Sequence, residues 1–205
     1  APDGRCNAAI EATQGEILTD ETRNPAELFY YSTSALDPVE AGENWYRWIY
    51  ENSQMSACNM ANRINACKPG TIEHPENCKF YNMKITQYRE DGRAQELEFE
   101  TMEGKIQVMG EYAIRTVLCD GVSRAKLQDG TEIVMEKLIP SGFFSIETIQ
   151  KGKFMIGYRL SGGGFGHGNG MSQNGAKAYA NQGDTYREIL ARYYPDLHLE
   201  QCENE

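Results

Sequence analysis

Residues 162–170 hold six glycines in nine positions, and Phe165 and His167 are the large side chains among them. Glycine at this density admits positive φ angles and close approach of the backbone to another surface. Successive N–H groups can then point into one concavity. A run of small residues with helical character starts near Ser172, and a helix N-terminus adds partial positive charge. Phosphate cradling fits poorly, because no Gly-Lys-Ser/Thr follows and no Rossmann strand–helix unit surrounds the run. Nucleophilic attack by Ser172, five residues after His167, lacks the G-x-S-x-G elbow. A glycan or peptide groove uses the same residues as hydrogen-bonding groups (His167, Ser172, Gln173), with Phe165 or a tyrosine as a stacking face. The plainest alternative is a tight strand-to-helix corner whose histidine is simply hydrogen-bonded.

A second cluster is Cys58, Cys67, His74 and Cys78. Three thiolates and an imidazole can bind zinc, but the intervals are eight, six and three residues and contain no C-x-x-C knuckle. A disulfide such as Cys58–Cys78 or Cys67–Cys78 and a set of free thiols remain the other two outcomes. The six cysteines are an even number, which suits an oxidising, extracellular setting. Thirty acids against 20 bases give a net charge of −10, which argues against a nucleic-acid binder. No apolar run approaches the roughly 20 residues that span a bilayer. The chain begins with Ala and shows no signal peptide, so it reads as a trimmed or processed product.

The elements that must position these groups are mostly strands. Ala26–Ser34 and Trp45–Tyr50 are rich in aromatic and β-favouring residues, and in the second Tyr46, Trp48 and Tyr50 share one face. A polar helix is expected from Ser53 toward Ala66, then a Pro- and Gly-bearing loop over Lys68–Asn77. Antiparallel hairpins follow over Lys79–Val108, turning at Asp91-Gly92 and Glu103-Gly104. A short helix over Glu111–Leu118 offers Tyr112, Ile114, Val117 and Leu118 to a core. Further strands are expected at Glu132–Ile139, Phe143–Ile149 and Phe154–Leu160, with turns at Asp129-Gly130 and Lys151-Gly152. After the glycine run, a helix over Ser172–Gln182 stops at Gly183. Thr185 and Glu188 then have capping-box spacing for a last helix ending at Pro195, with Ile189, Leu190 and Tyr193 inward. The sum is an α+β fold, a β-rich single domain of antiparallel strands over 1–205, with a C-terminal helical pair after the glycine-rich loop.

The stretch Gly163–Leu197, GGFGHGNGMSQNGAKAYANQGDTYREILARYYPDL, closely resembles the C-terminal signature of the SpoIID/LytB family, the stage II sporulation protein D and amidase-enhancer proteins. Its pattern is G-x-G-H-G-x-G-M-S-Q-x-G-A, a small-residue helix, then G-x-x-Y-x-x-I-L-x-x-Y-Y-P; Asp196 stands where glycine is common. Ala9–Ser34 is similar to the family's A-x-x-T-x-G-x-x-L segment and the aromatic strand ending S-x-S, although Ala35 and Leu36 replace the usual Gly-Gly. The resemblance implies a bacterial cell-wall protein acting on peptidoglycan glycan strands. It is expected to be extracellular, or membrane-anchored on the outer face of the cell. In one reading it is a lytic transglycosylase. In the alternative it is a non-catalytic peptidoglycan-binding or amidase-activating module, with a wall amidase as partner. No cofactor or metal is implied.

A lytic transglycosylase works with one carboxylic acid, which protonates the glycosidic oxygen. The family's glutamate segment, ahead of a helix like A-L-K-A-Q-A-x-A-x-R-T-Y, has no match here, so the chain reads as N-terminally truncated relative to the family and its catalytic residue is unknown. Glu11, Glu16 and Glu27 are weak substitutes, because a proton-holding acid must be desolvated. Carried over position by position, the expected substrate-binding residues are His167, Ser172, Gln173, Gly166 and Gly168, with Ser32 and Ser34 as a second set.

Overall fold

A computed structural model describes residues 4–21 and 37–202. Along the chain run α1 (Gly4–Ala12), β1 (Glu16–Thr19), β2 (Trp48–Asn52), α2 (Ala57–Cys67), β3 (Phe80–Tyr88), β4 (Ala94–Thr101) and β5 (Gly104–Met109). Then come α3 (Glu111–Leu118), β6 (Arg124–Leu127), β7 (Glu132–Val134), β8 (Phe144–Lys151), β9 (Phe154–Gly162), α4 (Gln173–Gln182), α5 (Tyr186–Tyr193) and β10 (His198–Gln201). They form two compact units: the described residues of Ala1–Ser34 with those of Asn169–Glu205, and those of Ala35–Gly168.

In the larger unit, a five-stranded sheet runs in the order β7-β6-β2-β9-β8 and a three-stranded sheet in the order β3-β4-β5, all pairs antiparallel. Strand alternation sets the core. Trp48, Tyr50 and Asn52 of β2 point inward and Ile49 outward; Ala125 and Leu127 of β6 point inward and Lys126 outward. Met60, Ala61 and Ile64 form the buried stripe of α2, whose first turn is capped by the Ser56 hydroxyl accepting from the Asn59 N–H at 3.3 Å. Gly110 enters α3 at φ 88°, a conformation that favours glycine.

The smaller unit pairs β1 with β10, Glu16 opposite Gln201 and Thr19 opposite His198. Ile189, Tyr193, Tyr194 and Leu197 pack there against Leu18, Ala176, Tyr179 and Leu190. Gly183 stops α4 at φ 103°, and Thr185 and Glu188 make both bonds of the capping box.

The expected antiparallel mixed fold with C-terminal helices is what forms, and the turns at Gly92, Gly104, Gly130 and Gly152 all carry positive φ. Several expectations need correction. The strand expected at Trp45 begins at Trp48, because Asn44–Tyr46 closes a 3-10 turn. The helix expected from Ser53 starts after Ser56, where the cap lies. Tyr112 is 69% exposed, and Arg115 takes the inward position on α3 instead. The strand expected over Glu132–Ile139 ends at Val134, since Met135, Ile139 and Pro140 turn inward as an irregular segment. The strand expected at Ala26–Ser34 lies outside the described residues.

Candidate functional site

The glycine run leaves the end of β9 and is tied down from three sides of the larger unit. The Gly163 N–H donates to the Phe143 carbonyl at 3.0 Å, that of Gly164 to Trp45 at 2.7 Å and that of Gly166 to Pro140 at 2.9 Å. In return the Trp48 indole N–H donates to the Gly164 carbonyl at 3.0 Å, and the Ser141 hydroxyl to the Gly163 carbonyl at 2.6 Å. Gly162 is required by space: a methyl group there would overlap the Trp48 ring and lie 2.5 Å from the Phe143 carbonyl oxygen. Gly166 is required by conformation, at φ 124° with open space around it. Gly168 is required by conformation, at φ 70°, and a methyl group there would press on Arg93 Cδ and Phe143 Cε2 at 3.0 and 3.2 Å.

Two buried arginines support this loop. The Arg93 guanidinium donates to the His167 carbonyl and is held by Asp91, with Nε to Oδ2 at 2.8 Å. Burial alone raises the Asp91 pKa, but hydrogen bonds from Arg93 and the charges of Arg93 and Arg89 outweigh it and hold the carboxyl below its ordinary range. Arg115 is fixed by Glu111 at 2.6 Å and donates to the carbonyls of Ile139 and Pro140 at 2.9 and 3.0 Å. Pro140 is also the acceptor for Gly166, so Arg115 reaches the loop through one peptide group.

The loop thereby presents side chains outward. Phe165 is 63% exposed and leans on Trp45, ring centroids 4.4 Å apart. The His167 side chain is exposed rather than tied up among core residues. Beside the loop lies a groove with a volume near 730 Å³, lined by residues from both faces of the five-stranded sheet: Ile49, Lys126, Ser145 and Ser161 from the outward one, Trp48, Leu127 and Phe144 from the inward one. Phe143 and the buried rings of Trp48 and Phe144 supply its apolar lining; Ser145, Ser161 and Gln128 supply hydrogen-bonding groups; Arg47 and Lys126 supply positive charge. Gly162 and Gly163 form part of its wall. None of the described residues lining it is Asp or Glu. Aromatic lining, a few polar groups and this size suit a small-molecule or saccharide ligand.

The expected site residues distribute as follows. Gly166, His167 and Gly168 belong to the larger unit. Ser172 and Gln173 belong to the smaller one, where the Ser172 hydroxyl caps α4 by accepting from the Gly175 N–H at 3.1 Å and Gln173 is exposed in the first turn. Ser32, Ser34 and Glu27 lie outside the described residues. Glu11 is exposed on α1, and Glu16 accepts from Tyr186 and Arg187. Sequence reasoning missed Arg93, Arg115 and Ser141, because they act through backbone carbonyls and carry no motif. Of the three outcomes open for this cluster, the free thiols are the one that forms: neither Cys58–Cys78 nor Cys67–Cys78 is bridged, and all six cysteines are free. Cys78 is buried ahead of β3, while Cys58 and Cys67 sit at opposite ends of α2, directed to Asn62 and to Ala113. Among the described residues no group of three His, Cys, Asp or Glu side chains is arranged to hold a metal. No described helix is long and apolar enough to cross a membrane.

A family model described as "Domain of unknown function (DUF8618)" matches residues 19–170. A protein named "Amidase enhancer" from Bacillus subtilis (strain 168) is 63% identical over 42 residues, which is 20% of this chain and 6% of that protein's length.

Proposed function

We propose a function for this chain, which belongs to the DUF8618 family: it is a SpoIID/LytB-type module that grips glycan strands of bacterial peptidoglycan and supports a wall amidase, outside the cytoplasmic membrane. The observation that carries the reading is the pinned glycine loop, which holds Phe165 and His167 exposed beside an aromatic groove whose described lining contains no carboxylate. A sugar ring offers an apolar face to aromatic side chains and hydroxyls to Ser, Gln and His. The name of the amidase enhancer, together with the 42 matched residues, supports the cell-wall setting and the amidase partner. In this reading Gly166, His167 and Gly168 shape the glycan-facing wall of the larger unit.

The lytic transglycosylase reading requires a carboxylic acid at the glycosidic oxygen. The groove's described lining offers cations instead, which favours gripping over cutting. Sedimentation of the purified chain with insoluble peptidoglycan, followed by mass spectrometry of the supernatant, separates the readings. Retention in the pellet without anhydromuramyl products is expected. Release of such products reassigns the chain as a transglycosylase, and a chain that stays in the supernatant contradicts both.

A further inference from the structure

Arg47 and Lys126 bring two positive charges to one groove of a chain whose net charge is −10. Both are exposed, both line the groove, and among the described residues neither has a carboxylate partner. Arg159 of the same unit is paired with Glu51 at 2.6 Å, and Lys84 and Lys105 with Glu98 at 3.4 and 3.0 Å; Lys68, Arg124, Lys137 and Lys151 are exposed without an ion pair among the described residues, but none of them lines the groove. Glu132 stands opposite Lys126 in the β6–β7 register and still forms no ion pair with it. The Arg47 guanidinium lies 4.9 Å from the centre of the Tyr46 ring, a stacking that limits its rotamers and orients its planar fork.

Strand register places the two cations together. Ile49 pairs with Lys126 on one side and with Ser161 on the other, while Trp48 pairs with Leu127 and Gly162. Arg47, two residues before Ile49, thus lies one step along the same outward face, diagonal to Lys126. The apolar lining adjoins them in the same groove.

The geometry points to an anion subsite: Arg47 and Lys126 bind an oxyanion, a carboxylate or a phosphate, carried by a saccharide whose ring packs on the groove's aromatic lining. This inference rests on the glycan-binding reading and adds the charge of the ligand to it. A guanidinium fork matches either oxyanion in bidentate fashion, and an ammonium adds a point charge. The absence of Asp and Glu from the described lining removes the repulsion that the rest of the surface would impose. Both groups are near the surface, so their attraction is screened by salt.

Isothermal titration of the whole chain tests it with three probes: a muramic-acid disaccharide bearing its carboxylate, a 6-phosphorylated N-acetylglucosamine disaccharide, and neutral chitobiose. The anionic disaccharides are expected to bind on the order of tenfold more tightly than chitobiose, with the advantage falling as salt rises. The Arg47→Gln/Lys126→Gln double variant is expected to lose that advantage, binding the anionic disaccharides no more tightly than chitobiose, with its melting temperature unchanged. The stronger of the two anionic probes identifies the source of the oxyanion. Equal affinity for all three probes overturns the subsite and leaves the glycan reading standing, as does an unchanged anion preference in the double variant. If no probe binds and the chain also fails to sediment with peptidoglycan, both fall; if it sediments without binding any of them, only the subsite falls.

Discussion

Arg93 is the residue on which the loop's shape most depends. Its guanidinium joins the Asp91 carboxylate to the His167 carbonyl, and its side chain is 3% exposed. Removing it leaves a carboxylate and a carbonyl short of a donor in a poorly solvated place. Arg93→Ala is expected to cost about 3 kcal/mol in chemical denaturation. Arg93→Lys keeps the charge but not the fork, and is expected to recover only part of that loss. The glycines separate two physical causes. Gly162→Ala forces a methyl group into the Trp48 ring and is expected to cost about 2–3 kcal/mol through overpacking. Gly166→Ala meets open space and costs roughly 1 kcal/mol through its positive φ alone. Equal losses in the two variants would contradict this division.

At the scale of elements, the C-terminal helices were the most readable part of the chain. Ser172, Gly183 and the Thr185–Glu188 box carry local signals, and each appears where its chemistry places it. Ser172→Ala is therefore expected to cost about 1 kcal/mol of stability and Ser172→Asn much less, since asparagine restores the cap. An undiminished melting temperature in Ser172→Ala would deny that role. The hairpins were legible for a similar reason, their turns being marked by Asp-Gly, Glu-Gly and Lys-Gly pairs. The entry to β2 was not, because the aromatic run Trp45–Tyr50 looks the same in a strand and in a 3-10 turn that packs Trp45 under Phe165. Nor did helical periodicity distinguish Tyr112 from Arg115, since a buried arginine is explained by the carbonyls of Ile139 and Pro140, more than twenty residues away. The groove itself was invisible in the sequence. It is assembled from β2, β6, β8 and β9, whose neighbours in space are distant along the chain.

For the whole molecule, charge sets the response to pH and bears on the proposed ligand. Asp120, like Asp91, is raised by burial and brought down further by donors, here the Ser123 hydroxyl and the N–H groups of Ser123 and Val122, with the Tyr50 hydroxyl. Both folded-state pKa values are lowered, so the stability these groups add is present above about pH 4, the ordinary aspartate value, and is lost as pH falls through the folded values. Melting temperature is expected to fall most steeply below about pH 4, and less steeply in Asp91→Asn, which starts lower. The account as a whole rests on the glycine loop and its groove facing a glycan. Both tryptophans of the chain report on that place directly, Trp45 through Phe165 and Trp48 through the Gly164 carbonyl. Intrinsic tryptophan fluorescence during titration with soluble peptidoglycan glycan fragments is thus the most direct measurement. A saturable change in intensity or wavelength, weakened in Phe165→Ala, is the expected result; binding to peptidoglycan with no change at either tryptophan would contradict the account.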